Sequence, residues 1–193
     1  MFIETIAPPQ RWRAIEARTR AMGFDMPSDP AVGAALRSLA AAKPGGRILE
    51  LGTGTGLATC YLLAGMDEAA RLVSVDTDPV VQDVAREAFA QDRRVTFVTA
   101  DGLAFIQGER AGSCDLIFAD AWPGKYEGLQ AALALLAPGG FYVIDDMLPQ
   151  PNWPEGHQAN VDALIADLTA RRGFAVSLMP FGSGMVVATR KAA

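Results

Sequence analysis

The sequence has few cysteines and no long apolar run. Its two cysteines, Cys60 and Cys114, lie in apolar segments without the close spacing of a metal or redox motif. Two buried free thiols are therefore expected, as is usual in the cytoplasm. No stretch approaches the roughly 18 consecutive apolar residues that a membrane helix needs. Residues 1–9 also lack the basic start and apolar core of a secretion signal. We therefore predict a cytoplasmic protein without a membrane partner.

Positive charge is also scarce. Lysine and arginine together number 17 against 22 aspartates and glutamates, so the net charge is −5 with the one histidine neutral. Because nucleic-acid binding depends on basic side chains that neutralise phosphates, no nucleic-acid partner is expected. The chain has 193 residues, of which 50% are hydrophobic, enough for a full core. We predict a single domain over residues 1–193, in which residues 1–44 form helices that precede the core.

What the sequence does contain is a glycine-rich turn after its first predicted strand. Residues 47–56 read R-I-L-E-L-G-T-G-T-G, and residues 57–64 have the composition of a buried helix. This order predicts a strand, a loop and a helix, the unit that binds nucleotide-like cofactors in α/β folds. Gly52, Gly54 and Gly56 permit positive φ angles and leave bare backbone against which a cofactor can lie. A tight turn without a ligand is the alternative.

The spacing of this loop argues against a dinucleotide. The fingerprint G-x-G-x-x-G would put its third glycine at position 57, where Leu57 stands. The loop instead reads E-x-G-x-G-x-G, with Glu50 ahead of the first glycine. Such a loop suits a cofactor with no pyrophosphate to bind at the helix N-terminus. The cofactor that we predict is S-adenosylmethionine (SAM), an adenosine with an amino-acid tail.

Acidic residues follow the next two predicted strands. Asp76 ends the run R-L-V-S-V-D at residues 71–76, where an acid about 20 residues beyond the loop can accept hydrogen bonds from both ribose hydroxyls. Asp78, followed by proline, is expected to cap the next helix. Asp101 follows the third run, at residues 95–99. Two roles are open for Asp101: accepting a hydrogen bond from the adenine amino group, and capping the helix that follows.

The end of the chain decides the predicted fold. Five apolar runs with β character alternate with helical segments, and two more runs, residues 174–179 and 185–189, come last. Only residues 180–184 join these two, too few for a parallel crossover, so they should form an antiparallel hairpin. We predict an α/β fold: a Rossmann-like, doubly wound, seven-stranded and mostly parallel sheet with a C-terminal antiparallel hairpin. A dinucleotide-dependent dehydrogenase would usually continue in parallel units.

Turn residues predict the boundaries in the second half of the chain. A helix is expected over residues 126–136, ended by A-P-G-G at residues 137–140, before a fifth strand over residues 141–144. Pro154 is expected to open the last helix. The apolar face of that helix is Val161, Leu164, Ile165 and Leu168.

With these features the chain resembles class I SAM-dependent methyltransferases, and more narrowly the catechol and caffeoyl-CoA O-methyltransferases. The class resemblance lies in four segments: residues 50–56, Val75-Asp76, residues 115–120 and residues 136–140. The narrower resemblance lies in I-F-A-D-A-W at residues 117–122, in Lys125-Tyr126, and in Asp145-Asp146, where that family has Asp-Asn. The resemblance implies an enzyme that methylates a small molecule, most simply at oxygen.

The resemblance also implies a metal ion. In this family, acids at these strand ends hold Mg²⁺, which here would fall to Asp120, Asp145 and Asp146. Oxygen ligands suit a hard cation, and the cation lowers the pKa of a bound hydroxyl. Two positions depart from the family: Asp146 replaces Asn, and Pro123 stands where the family has its lysine base. Lys125 is the substitute base that this implies. In the alternative without a metal, Asp120 orients the amino group of SAM and Asp145 or Asp146 caps a loop.

The segment after the fifth strand is expected to hold the substrate. Residues 147–157 contain three prolines, Trp153 and the one histidine, His157. His157 is either a general base or a residue on the first turn of a solvated helix. Trp122, beside Asp120, either stacks on the cofactor or belongs to the core.

The sequence thus predicts a SAM-dependent O-methyltransferase of small molecules, with metal assistance and a homodimer both left open. Other functions that it leaves open are a non-catalytic SAM-binding module, an NAD-dependent oxidoreductase and an aminopropyl transferase. The candidate catalytic residues are Asp120, Lys125 and His157. The candidate metal ligands are Asp120, Asp145 and Asp146. The candidate cofactor-binding residues are Glu50, Gly52, Thr53, Gly54, Gly56, Asp76, Thr77, Asp101, Gly102, Asp120 and Trp122.

Overall fold

A computed structural model describes residues 7–192. The first residues, on which the prediction of no secretion signal partly depends, lie outside this range. The strands are β1 Arg47–Leu51, β2 Arg71–Asp76, β3 Val95–Thr99, β4 Cys114–Ala119, β5 Leu136–Ile144, β6 Phe174–Met179 and β7 Met185–Arg190. The helices are α1 Trp12–Ala21, α2 Pro30–Ala41, α3 Leu57–Gly65, α4 Pro79–Ala88, α5 Gly102–Gly108, α6 Trp122–Lys125, α7 Leu129–Ala134 and α8 His157–Ala170.

The strands form a seven-stranded sheet in the order β3-β2-β1-β4-β5-β7-β6. Strands β1 to β5 pair in parallel, whereas β7 runs antiparallel to both β5 and β6. The predicted fold, including the closing hairpin, is confirmed. The strand order reverses between β1 and β4, and α/β proteins bind ligands in the crevice at such a switch point. The glycine loop follows β1, so it lies at this crevice.

Helices cover both faces of the sheet, as the apolar central strands require. One buried cluster joins α2, α3 and α4 to one face, and a second joins α7 and α8 to the other. The N-terminal helices pack on α3. Gly33 of α2 shows how closely, because a Cβ at this position would lie 2.3 Å from the ring of Tyr61 in α3.

Predicted element boundaries are wrong in two regions, around β5 and at the start of the last helix. The helix expected over residues 126–136 covers only Leu129–Ala134, because Gly128 is left-handed and Leu136 already pairs with Cys114 in the sheet. Strand β5 therefore begins at Leu136 and runs through the Pro-Gly-Gly segment with a local irregularity. The last helix begins at His157, after a left-handed Gly156, and not at Pro154. Its predicted apolar face is correct: Val161, Leu164 and Leu168 are buried.

No helix within residues 7–192 is both long enough and apolar enough to span a membrane.

Candidate active site

The glycine loop holds the ends of β1 and β4 close together. Gly52 has a φ of 96°, and a Cβ there would lie 2.6 Å from the carbonyl oxygen of Asp120. Only glycine can satisfy both conditions. The loop is tied to β2 by Asp76, whose Oδ2 accepts from the Gly54 amide at 2.8 Å and whose Oδ1 accepts from the Asp78 amide at 2.9 Å. The side chain of Asp76 thus fixes the shape of the loop by binding the backbone of the loop.

A buried polar cluster lies beneath the loop and is centred on Glu50. The Oε2 of Glu50 accepts hydrogen bonds from Ser74 at 2.5 Å and from Thr59 at 2.6 Å. The Ser74 hydroxyl also lies 2.6 Å from the Thr53 hydroxyl, which accepts a hydrogen bond from the side-chain Nε2 of Gln82 at 2.9 Å. Complete burial raises the pKa of Glu50 to about 7. Its Oε1 has no hydrogen-bond partner within residues 7–192. We call these five residues the loop-support cluster.

A cavity of about 470 Å³ opens in front of the glycine loop. This volume is typical of a small-molecule site. Eight of the predicted cofactor-binding residues line it: Gly52, Thr53, Gly54, Asp76, Thr77, Gly102, Asp120 and Trp122. We call this space the loop cavity. It occupies the switch point of the sheet, as expected for a cofactor site in this fold.

Three predicted cofactor residues do not line the loop cavity. Glu50 faces the loop-support cluster instead, so it positions the loop from below. Gly56, with a φ of 92°, lies at the start of α3, where a Cβ would approach that of Ala85 to 2.6 Å. Asp101 is exposed and caps α5 by accepting a hydrogen bond from the Ala104 amide at 2.8 Å. Of its two open roles, the structure shows the cap.

A second cavity of about 560 Å³ adjoins the first. We call it the outer cavity. Its wall includes α1 side chains such as Trp12 and Thr19, and residues 150–152 of the loop predicted to hold the substrate. The two cavities share seven lining residues: Phe24, Met26, Pro27, Ser28, Leu57, Asp120 and Asp146. The space is therefore divided into two connected compartments that meet at the ends of β4 and β5.

Sequence reasoning missed the segment that joins α1 to α2. Phe24, Met26, Pro27 and Ser28 line both cavities, and the Ser28 hydroxyl donates to Asp120 at 3.2 Å. No periodic pattern marks this segment, because it is neither helix nor strand. The available signal was its position: a short connection that contains proline and ends at the Asp29-Pro30 helix cap.

The partly buried Asp120 and the buried Asp145 form an acidic pair at the ends of β4 and β5. Burial first, and then the charge of Asp145, raise the pKa of Asp120 well above its usual range. Burial likewise raises the pKa of Asp145 to about 6, against hydrogen bonds that lower it. These hydrogen bonds come from the Ser183 hydroxyl and, at 2.7 Å, from the Asp146 amide, both to Oδ1 of Asp145. Both carboxylates are thus poised to titrate closer to neutrality than a solvated aspartate.

The acidic pair has a cationic neighbour in Lys125. The Lys125 side chain is 6% exposed, and its Nζ lies 3.8 Å from Oδ1 of Asp120. It reaches this position because α6 is interrupted: Pro123 is extended and Gly124 is left-handed, with a φ of 89°. Lys125 lines neither cavity. It therefore approaches Asp120 from the protein interior.

The three predicted metal ligands are not arranged as a metal site. Within residues 7–192, no group of three or more His, Cys, Asp or Glu side chains could hold a metal ion. Asp120 pairs with Lys125 and Ser28, and Oδ1 of Asp145 already accepts two hydrogen bonds. Asp146 is the one described non-glycine residue with positive φ, at 58°. Asn and Asp tolerate this backbone best, which explains an Asp or Asn there without any ligand role.

His157 lies away from both cavities. It lies on the first turn of α8, as one of its two interpretations predicted, but it is only 8% exposed and therefore buried rather than solvated. Its Nε2 lies 3.2 Å from the Tyr126 hydroxyl, and its ring packs 4.7 Å from that of Trp153 and 5.8 Å from that of Trp122. Trp122 lines the loop cavity and is half exposed, so it is not a core residue. His157 therefore packs against Trp122 and Trp153 and lines neither cavity, so it is not placed to act as a base there.

This fold, with a glycine-loop cavity at its switch point, defines a class I methyltransferase. The chain matches a family model described as a methyltransferase domain over residues 49–147. A protein of Mycobacteroides abscessus, provisionally named an O-methyltransferase, is 32% identical over 90% of this chain and 86% of its own length. The chain belongs to the methyltransferase-domain family, and the predicted class is confirmed.

Solved structures share the whole architecture. The O-methyltransferase from Bacillus cereus, in complex with S-adenosylhomocysteine (SAH), has a TM-score of 0.83 and 22% identity over 97% of this chain and 93% of its own. The O-methyltransferase TomG from Streptomyces achromogenes, in complex with SAM, has a TM-score of 0.82 and 21% identity over 97% of this chain and 92% of its own. At this identity the likeness establishes the fold.

Proposed function

We propose that this enzyme transfers a methyl group from SAM to a hydroxyl oxygen of a small molecule. The observation that carries the proposal is the meeting of two cavities at Asp120. One cavity lies against the glycine loop and the other lies under the N-terminal helices, so a donor and an acceptor can face each other there. The relatives support the choice of cofactor, since the Bacillus cereus and Streptomyces achromogenes enzymes hold SAH and SAM.

In this proposal SAM occupies the loop cavity. The carboxylate oxygens of Asp76 each accept one backbone hydrogen bond and keep a further lone pair for the ribose hydroxyls. Gly102 and Trp122 line the same cavity and offer flat contacts to the adenine. The amino-acid end then lies along Gly52 to Gly54. This placement points the sulfonium towards the junction with the outer cavity.

The acceptor occupies the outer cavity with its hydroxyl at the junction. The oxygen attacks the methyl carbon in line with the sulfur, a C–O bond forms, and the S–C bond breaks. The electron pair of the broken S–C bond remains on sulfur, and the product is SAH. The hydroxyl proton passes to the carboxylate of Asp120. Because the sulfonium methyl is already activated, alignment and exclusion of water are the main contributions of the protein.

Asp120 suits the role of proton acceptor because of its surroundings. It lines both cavities, and burial together with Asp145 raises its pKa. A base is most effective when its pKa approaches the working pH. The competing role for Asp120, orienting the amino group of SAM, would affect cofactor affinity instead. The kinetics of Asp120→Asn, described below, separate these two roles.

We also propose that the enzyme works in the cytoplasm on a small-molecule partner. The two cysteines are free and buried, as suits a reducing compartment. A homodimer stays a prediction, which light scattering of the purified protein tests.

The function is tested by binding followed by transfer. Calorimetry should show SAM and SAH binding and no binding of NAD. Tritium-labelled SAM should then label a phenol or another hydroxyl compound in a panel that also contains amines and carboxylic acids. As a control, Gly52→Val fills the position against the Asp120 carbonyl and should abolish SAM binding. Binding of NAD in preference to SAM would contradict the proposal, and exclusive labelling of amines would contradict its acceptor.

A further inference from the structure

We infer that Lys125 is a built-in counter-ion for the acids at the ends of β4 and β5, so that this site works without a divalent cation. The inference rests on the proposed function for its kinetic part, but its cation-binding part stands alone. Lys125 is a positioning residue in this account. It holds Asp120 from behind, without touching the cofactor or the acceptor.

The burial of Lys125 is the first argument. Among lysines and arginines within residues 7–192, Lys125 is the one that is buried. A buried ammonium without a counter-charge is strongly unfavourable. Its ion-pair partner is Asp120, at 3.8 Å, whose side chain is 14% exposed. The charge of Lys125 also acts on Asp145, as it does on Asp120. One ammonium therefore serves both carboxyls.

The backbone around Lys125 is shaped to bring it inwards. The Gly124 carbonyl accepts a hydrogen bond from the Tyr142 hydroxyl at 2.6 Å, and the Gly124 amide donates to the Glu127 carbonyl at 2.7 Å. A Cβ at Gly124 would lie 2.8 Å from Leu51 and 2.9 Å from the Tyr142 hydroxyl. A left-handed glycine held from β5 thus replaces a regular helical turn. The result is that the side chain of Lys125 turns back towards Asp120.

The donor arrangement gives the second argument. Two neighbouring carboxylates removed from solvent would attract a cation from solution if nothing neutralised them. Here the surrounding groups already do so: Lys125 and Ser28 for Asp120, and Ser183 with the Asp146 amide for Asp145. These contacts engage both carboxylate oxygens of Asp120 and Oδ1 of Asp145. Removal of the Lys125 charge should therefore turn this pair into a cation site.

Calorimetric titration of MgCl₂, with and without SAH, tests this directly. The wild-type protein should give no binding heat at millimolar magnesium. Lys125→Met keeps the length of the side chain without its charge, and it should bind magnesium at millimolar concentration or below. Lys125→Arg should behave as wild type. Lys43→Met is the matched control, because Lys43 bonds the Gly139 carbonyl and lies over the Phe141 ring, so this variant should gain no binding.

Kinetics provide a second readout. Lys125→Met should lower kcat by about tenfold or more, as a poorly held base predicts, while KM for SAM changes by less than about threefold. Magnesium should restore part of the lost kcat in this variant and leave wild-type activity unchanged. A merely structural role for Lys125 would not produce rescue by magnesium.

Three results would overturn the inference. The first is magnesium binding to the wild-type protein, and the second is a Lys125→Met variant with unchanged kcat and no magnesium binding. If Lys125→Met does not fold, the double variant Lys125→Met/Asp145→Asn takes its place in the test, because it removes one positive and one negative charge together. This double variant should fold and bind no magnesium, and its failure to fold is the third contrary result. A failure of SAM to bind would instead refute the proposed function.

Discussion

The molecule buries carboxylates at two places on the same edge of the sheet, and it treats them differently. In the loop-support cluster, neutral hydroxyl donors surround Glu50, and its carboxyl reaches no cavity. At the ends of β4 and β5, a lysine accompanies Asp120, which lines both cavities. Both acids have raised pKa values. Access to the cavities therefore separates the structural acid from the reactive one, and the pKa alone does not identify the base.

The largest expected effect separates the two acids by activity. Asp120→Asn keeps the shape of the side chain but cannot accept the proton, so kcat should fall by about 10²- to 10⁴-fold. Glu50→Gln should keep kcat within about tenfold. Steady-state kinetics with labelled SAM measure both variants. If Asp120→Asn raised KM for SAM and left kcat intact, Asp120 would be a cofactor ligand and not the base.

The second effect concerns the pH dependence of stability. The pKa of Glu50 is about 7 in the folded protein, above its unfolded value, so the folded state binds this proton more tightly. Stability from this group is therefore present below the unfolded pKa and is lost as pH rises to about 7. The loss is on the order of 3 kcal/mol.

Urea unfolding of wild type and Glu50→Gln between pH 4.5 and 8 measures this term as a difference. The wild-type free energy of unfolding should fall relative to that of the variant as pH rises. Parallel curves would contradict the assignment.

The third effect compares one serine from each region. Ser74→Ala removes a buried donor to Glu50 and a partner of Thr53, so the free energy of unfolding should fall by about 1–3 kcal/mol. Ser28→Ala removes a partly exposed bond to Asp120, and its cost should stay below about 1 kcal/mol. Chemical denaturation measures both. Equal losses would contradict the difference in burial between these two hydrogen bonds.

The smallest effect is a shift in the acid limb of the pH–rate profile. Asp145 raises the pKa of Asp120, and Ser28 lowers it. Asp145→Asn should therefore move the acid limb of kcat/KM to lower pH, and Ser28→Ala should move it to higher pH. Each shift should be on the order of one pH unit or less. Shifts in the same direction in both variants would contradict the role of Asp120 as the titrating base.

The fold could be predicted from the sequence because its signals are local. The glycine loop, the acids that end β2 and β4, and the short link before β7 each determine the local path of the chain. The boundaries around β5 failed because pairing with β4 overrode the turn signal of Pro138 and Gly139. The start of α8 failed because Gly156, not Pro154, carries the left-handed entry to the helix.

The site could be predicted only in part. The loop and Asp76 reach the loop cavity as expected, since they follow strands directly. The connection between α1 and α2 could not be found, because its place over the cavities depends on how two helices pack on α3. The inward turn of Lys125 likewise depends on a left-handed Gly124 and on Tyr142 from a neighbouring strand. Contacts between residues so far apart in the chain produce no recognisable pattern of spacing in the sequence.

The most direct test of the account is a single turnover of enzyme loaded with tritium-labelled SAM, with excess acceptor and EDTA. Wild type should transfer the label at the same rate in EDTA and in magnesium, and Asp120→Asn, loaded equally with SAM, should transfer it at least about 100-fold more slowly. Loss of wild-type transfer in EDTA, restored by magnesium, would contradict the account.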